Sequence, residues 1–144
     1  MSGHKTKALV QHVRGMTFIG KANSNHWVTM DADKEFNGQD GGARPMELVL
    51  LGLGGCTAMD VISILEKKKT QITDFRIELE ADHAPQYPKV FTHITLVYYF
   101  YGKNIKDEDV KRAIELSETK YCSVQAMLRQ SCSIQTRFEI VNQG

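Results

Sequence analysis

The sequence has no C-x-x-C pair, and its five histidines, at positions 4, 12, 26, 83 and 93, stand apart from one another. The ligand spacing of a structural zinc site is therefore missing. A metal centre would have to be assembled from Cys56, Cys122 and a distant histidine, and nothing in the spacing supports that. No glycine-rich phosphate loop follows a strand pattern, and no Ser-His-Asp arrangement stands out. Charge of one sign is scarce as well. Eighteen basic residues against 17 acidic ones leave a net charge of +1, which gives no reason to invoke nucleic acid or an anionic membrane as a partner. Beyond Lys67 to Lys69 there is no basic cluster. Met1 to Arg14 lacks the apolar run of a secretory leader. The expected compartment is the cytoplasm, where a cysteine is seldom a structural disulfide and more often catalytic, metal-binding or inert. Residues 1–6 are expected to be a frayed start or a cloning remnant. With no repeat, linker or low-complexity segment, the 144 residues form one domain, 1–144, large enough to bury a core.

What is present centres on Arg44 to Lys69, RPMELVLLGLGGCTAMDVISILEKKK. Pro45 can open a helix, because the amide it lacks would be unpaired in the first turn anyway. Glu47 near the start and Lys67 to Lys69 near the end complement the helix dipole. Between Glu47 and Asp60 there is no charge, so this helix is expected to be buried. Leu48 to Leu65 is long enough to cross a bilayer, but Asp60 and three central glycines argue against a membrane span. Gly52, Gly55, Cys56 and Met59 share one stripe, on which small residues admit a second backbone. Cys56 is expected either where that backbone or a small molecule meets the helix, or simply in a core.

The rest of the chain reads as α+β with a mainly antiparallel sheet. Lys7 to Val13 and Met16 to Lys21 form a hairpin about Gly15, and Trp27 to Met30 a third strand. Asp31 to Ala43 is a glycine-rich loop of the kind that often carries a mobile site element. Ile72 to Ala81 alternates, with Thr73, Phe75, Ile77 and Leu79 on one face. Val90 to Tyr101 repeats the pattern, and its second face, Thr95, Val97, Tyr99 and Tyr101, is apolar enough to suggest a further partner. Asn104 or Asp107 caps a second helix with Val110, Ala113, Ile114 and Ser117 on its buried side. Tyr121 to Ser123 interrupts it, and Ser123 caps a short third helix, Val124 to Gln130. Ser131 to Val141 is the last strand, with Cys132, Ile134, Thr136, Phe138 and Ile140 inward.

The three cysteines are not equivalent. Cys132 shares a face with core residues and is expected to be inert. Cys122 sits at a helix break, where outward-pointing amides would lower its pKa. Cys56 is about three turns inside its helix, too deep for the dipole alone to activate it.

Pro45-x-Glu47-Leu48, then Leu53-Gly54-Gly55-Cys56, then Tyr121-Cys122-x-Val124 about 65 residues later, resemble the OsmC/Ohr family of osmotically inducible and organic-hydroperoxide-resistance proteins, and within it the YhfA-like branch. The resemblance implies an intertwined homodimer, in which strands of both chains wrap around a long central helix from each. It also implies thiol peroxidase activity in oxidative stress defence. Cys56 would attack a small organic hydroperoxide, Cys122 would resolve the product as a disulfide, and a dithiol reductant would reopen it, with no cofactor. Active members place an arginine and a glutamate beside the first cysteine. Arg14 is the best match to that arginine, with Arg44 a second candidate. The glutamate stands ten residues before the cysteine, a position held here by Met46. Glu47 is one step off, on the opposite helix face and roughly 13 Å from Cys56 along a straight helix. The alternative function is a non-enzymatic dimer of the same fold that binds a small apolar ligand at its interface.

Overall fold

The structure, a computed structural model, describes residues 4–143. Residues 1–3 of the expected frayed start lie outside these. Lys5 and Lys7 are tethered, because the Asn23 amide donates to the Lys5 carbonyl at 3.0 Å and accepts from the Lys7 N–H at 3.0 Å. The chain divides into two units, Met1–Val49 and Leu50–Gly144.

In the first unit β1 (Leu9–Arg14), β2 (Thr17–Lys21) and β3 (Val28–Met30) form an antiparallel sheet in chain order. The hairpin turns at Gly15, whose φ of 56° is the left-handed region that glycine occupies without strain. Every residue of β1 is exposed. The loop after β3 is not slack. Asp31, 3% exposed, accepts hydrogen bonds from the Thr17 hydroxyl at 2.8 Å and from the N–H groups of Ala32, Gly41 and Gln39 at 2.7, 3.1 and 3.4 Å. The Thr17 hydroxyl above all, with these amides, holds the carboxyl below its ordinary pKa against the cost of burial. A single buried carboxylate therefore laces the segment expected to be mobile.

Helix α1 (Pro45–Lys67) starts at the proline, as expected, and carries the chain into the second unit. The Arg44 N–H donates to the Glu47 carboxylate at 2.9 Å, so a glutamate in the first turn satisfies an orphan amide. At the far end Lys69 adopts φ 59°, Lys69 N–H returns to Glu66 O at 2.9 Å and Thr70 N–H to Leu65 O at 3.0 Å. This is a Schellman closure with lysine in the place glycine usually takes.

The second unit sets α1 residues against a sheet ordered β4 (Gln71–His83), β5 (Phe91–Lys103), β6 (Ser133–Asn142). Strands β4 and β5 pair antiparallel, as the alternation predicts. A bulge between Ile72 and Asp74 shifts the first residues. Ile72 thereby joins the core and Thr73 turns outward to hydrogen-bond Gln143 at 3.0 Å, contrary to the expected inward Thr73. Strand β6 pairs with β5 in parallel, because two helices, α2 (Asp107–Leu116) and α3 (Ser123–Leu128), return the chain before it starts. The second face of β5 is partly covered within the chain. Val97 is buried, and Arg76 lies over the Tyr99 ring at 4.6 Å.

The core comprises Leu53, Val61 and Leu65 of α1 with Ile94, Leu96, Tyr98 and Phe100 of β5 and Val110, Ala113 and Ile114 of α2 (Asp107–Leu116). Only one stripe of α1, Leu53, Gly54, Thr57, Val61 and Leu65, is buried, so the expectation of a helix enclosed on all sides is not met within this chain. A Cβ on Gly54 would meet Leu79 at 2.9 Å, whereas Gly52 and Gly55 have nothing within 4 Å. Their side of the helix is open, with Leu51 63% and Met59 76% exposed. Helix α2 begins after Lys106, which makes no side-chain cap, so neither Asn104 nor Asp107 caps it. Its first turn carries Asp107, Glu108 and Asp109 instead.

Candidate functional site

Helix α2 runs into a π turn, Ser117–Tyr121, whose wider winding ends at Cys122 in extended backbone (φ −78°, ψ 101°). The Cys122 N–H closes that turn on Ser117 O at 2.8 Å. Such π turns are single-turn features that are frequent at functional sites. Helix α3 (Ser123–Leu128) follows, and its N-cap is Cys122 rather than Ser123. The Cys122 sulfur accepts from the Gln125 N–H at 3.3 Å. Sulfur thus does what a serine oxygen usually does at this position.

The cap brings Cys122 onto α1. Its sulfur lies 3.5 Å from the Thr57 hydroxyl, which also donates to Leu53 O at 2.9 Å. With the hydroxyl proton committed to Leu53, the thiol donates to Thr57. On ionisation the hydroxyl can turn and donate instead. Cys56, the neighbour of Thr57, is half-buried, and Cys122 is buried. The two sulfurs and a carboxylate oxygen of Asp60 all lie within 4.8 Å of one another. Asp60, one helical turn beyond Cys56, accepts from the Ser117 hydroxyl at 2.9 Å. It takes part in no ion pair among the described residues. Fully buried Tyr98 borders the group, and its hydroxyl makes no hydrogen bond of normal geometry, to Thr57 or any other residue described. Its pKa is raised, first by burial and then by the charge of Glu118 and Cys122.

The expected lowering of the Cys122 pKa is reversed. Burial pushes the thiol up, the Cys56 sulfur beside it adds to this, and the Thr57 hydroxyl and Gln125 amide only partly offset it. Cys132 precedes β6, donates to Leu128 O at 3.4 Å and is also raised by burial. It packs on the core and is not one of the three residues whose ligand atoms meet within 4.8 Å.

The other anticipated residues lie in the first unit. Arg14 ends β1 and is exposed. Arg44 forms an ion pair with Asp40 at 2.7 Å and donates to Gly42 O at 3.1 Å. Glu47 is engaged as the helix cap, and Met46 is exposed. The sequence reading missed Thr57, Asp60, Ser117 and Tyr98. The signal for Asp60 was present in Cys56-x-x-x-Asp60, a spacing that shares one helix face.

Residues 38–137 match the family pattern described as OsmC-like protein. Protein YhfA of Escherichia coli is 40% identical over 135 residues, covering 94% of this chain and 98% of the relative. The crystal structure of a hypothetical protein from Aquifex aeolicus superposes with a TM-score of 0.86 at 27% identity, over 99% of this chain and 100% of that one. An organic hydroperoxide resistance protein OsmC from Legionella pneumophila, described as a predicted redox protein, shares the fold. Its TM-score is 0.69 at 12% identity, over 96% of this chain and 99% of that one.

Proposed function

Because this chain belongs to the OsmC family, we propose that it is a thiol peroxidase that reduces small organic hydroperoxides through Cys56 and Cys122, as one domain spanning residues 1–144. The observation that carries this reading is the meeting of the two sulfurs, one half-buried and one buried, within 4.8 Å. The thiolate of Cys56 attacks the terminal O–O oxygen. The O–O bond breaks, the alkoxide takes a proton and leaves as alcohol, and Cys56 becomes a sulfenic acid. Cys122, a thiol until then because of its burial, gives up its proton and attacks that sulfur as the thiolate, the proton passing to the departing hydroxide. One S–S bond forms, water leaves, and a dithiol reductant restores both thiols by exchange. A disulfide needs about 2.05 Å between sulfurs, so the Cys122 cap must shift. Its place at the end of a π turn and the start of a six-residue helix makes that a local movement. Resemblance points to Arg14 or Arg44 as the cation of the site, while the carboxylate it expects is replaced by Met46 and Glu47, one step off, is the remaining candidate.

The assembly is a homodimer. The open side of α1 and the exposed Leu9, Val10 and Val13 of β1 are apolar surface that a second copy would cover. The compartment is the cytoplasm, which keeps free thiols reduced. Peptide mapping after limiting cumene hydroperoxide tests the reading. A Cys56–Cys122 disulfide with Cys132 reduced is expected, and a disulfide to Cys132, or an unoxidised Cys56 in excess peroxide, would count against it.

A further inference from the structure

A peroxidatic thiolate is helped by a neighbouring cation, yet the group beside Cys56 and Cys122 is a carboxylate. Once the two thiols give up their protons, the three ligands are all negative and repel one another, and a cation between them removes that repulsion. We propose that Cys56, Asp60 and Cys122 form a binding site for a thiophilic divalent ion, namely Zn2+. The proposal uses the same thiols as the peroxidase reading but does not depend on their turnover.

The ligand set suits zinc, which takes thiolate and carboxylate together and keeps four-coordinate geometry with an exchangeable fourth position. Zinc–sulfur bonds of about 2.3 Å and zinc–oxygen bonds of about 2.0 Å put the ligand atoms of one ion roughly 3.5–3.8 Å apart. The observed limit of 4.8 Å exceeds this by about 1 Å, which side-chain rotation can close. Outer contacts are already in place. Ser117 donates to one Asp60 oxygen and leaves the other free, and Gln125 N–H and Thr57 fix the Cys122 sulfur. The observation that carries the proposal is the approach of the three ligand atoms to within 4.8 Å of one another, one of them on a buried cysteine. Binding converts two thiols to thiolates and releases two protons to solvent. The ion, two thiolates and one carboxylate then carry a net charge of −1. While bound, both thiols are withheld from peroxide.

Reduced protein, stripped with a chelator and kept anaerobic, is titrated with Co2+ alone and then with Zn2+. Expected are thiolate-to-cobalt charge-transfer bands that saturate at one ion per chain and are displaced by Zn2+. Asp60→Asn should weaken the affinity by at least about tenfold, Cys56→Ser or Cys122→Ser should remove most of the charge-transfer intensity, and Cys132→Ser should change nothing. In the wild-type protein Zn2+ should slow iodoacetamide alkylation of Cys56 and Cys122 and leave Cys132 unaffected, a readout that needs no variant to fold. Absence of charge-transfer bands in the wild-type protein, or unchanged affinity in an Asp60→Asn protein with native circular dichroism, would overturn the proposal. No peroxide is present, so that failure would not touch the peroxidase reading. A protein that binds cobalt but consumes no peroxide would fail only the latter.

Discussion

Thr57 and Cys122 meet across 65 residues of sequence, hydroxyl oxygen to sulfur at 3.5 Å in a buried contact. Thr57 follows Cys56 directly, so the contact that seats Cys122 also fixes its distance from the other thiol. It is the joint between the two halves of the candidate redox pair.

Thr57→Val keeps the shape of that side chain and removes the hydroxyl. Cys122 then loses its partner in the buried thiol state, a change that costs about 1–3 kcal/mol. The expected kinetic outcome is selective. Sulfenic acid should form at Cys56 at an unchanged rate, while disulfide closure slows several-fold and dimedone traps more of the intermediate. Equal slowing of both steps would mean that Thr57 supports the helix generally rather than positioning Cys122.

Asp31 ties the loop 31–43 to β2, and its pKa lies below the ordinary carboxylate value. Its contribution to stability is therefore complete above the unfolded-state value of about 3.9 and is lost as pH falls through the lower folded value. Asp31→Asn should lower the urea midpoint at pH 7 and flatten its decline between about pH 5 and pH 2. A variant with an unchanged midpoint would show that the backbone bonds of the loop suffice without the charge.

Much of the fold was legible because apolar periodicity reports burial directly. The hairpin at Gly15, the helix opened by Pro45, the β4–β5 pair and the break at Cys122 all follow from local pattern. What escaped depends on partners distant in sequence. The bulge that turns Thr73 outward is a property of the β4–β5 register, and the parallel pairing of β6 is set by where α2 and α3 deliver the chain. At the site both cysteines of the candidate pair were legible, since their contexts are distinctive. Cys122 was expected to be acidified by nearby amides, but its burial, which outweighs them, is created by α1 and is invisible locally. Asp60 was weighed only as a charge that argues against a membrane helix. Its nearness to two thiols appears once the π turn has folded back.

The proposed dimer contact should be removable from the open side of α1. Leu51, 63% exposed, has no role in the core of its own chain. Leu51→Glu should convert a dimer to monomer in sedimentation velocity at micromolar concentration, leaving the Cys56–Cys122 pair intact. A stable wild-type monomer under the same conditions would remove the second copy from the account.

Met46 occupies the position at which the family resemblance expects a glutamate. Met46→Glu should accelerate iodoacetamide alkylation of Cys56 at neutral pH and its reaction with organic hydroperoxide several-fold, by holding an arginine through a bidentate pair. If that variant changes neither rate while Glu47→Gln abolishes the reaction, Glu47 is the working carboxylate despite its engagement with the Arg44 N–H.

The central claim is turnover by the Cys56–Cys122 pair, and dithiothreitol-coupled consumption of cumene hydroperoxide by chelator-treated protein tests it most directly. Many equivalents should be reduced per chain, with turnover lost in Cys56→Ser, strongly reduced in Cys122→Ser and unchanged in Cys132→Ser. Consumption no faster than with dithiothreitol alone, or equal rates in the wild type and Cys56→Ser, would contradict it.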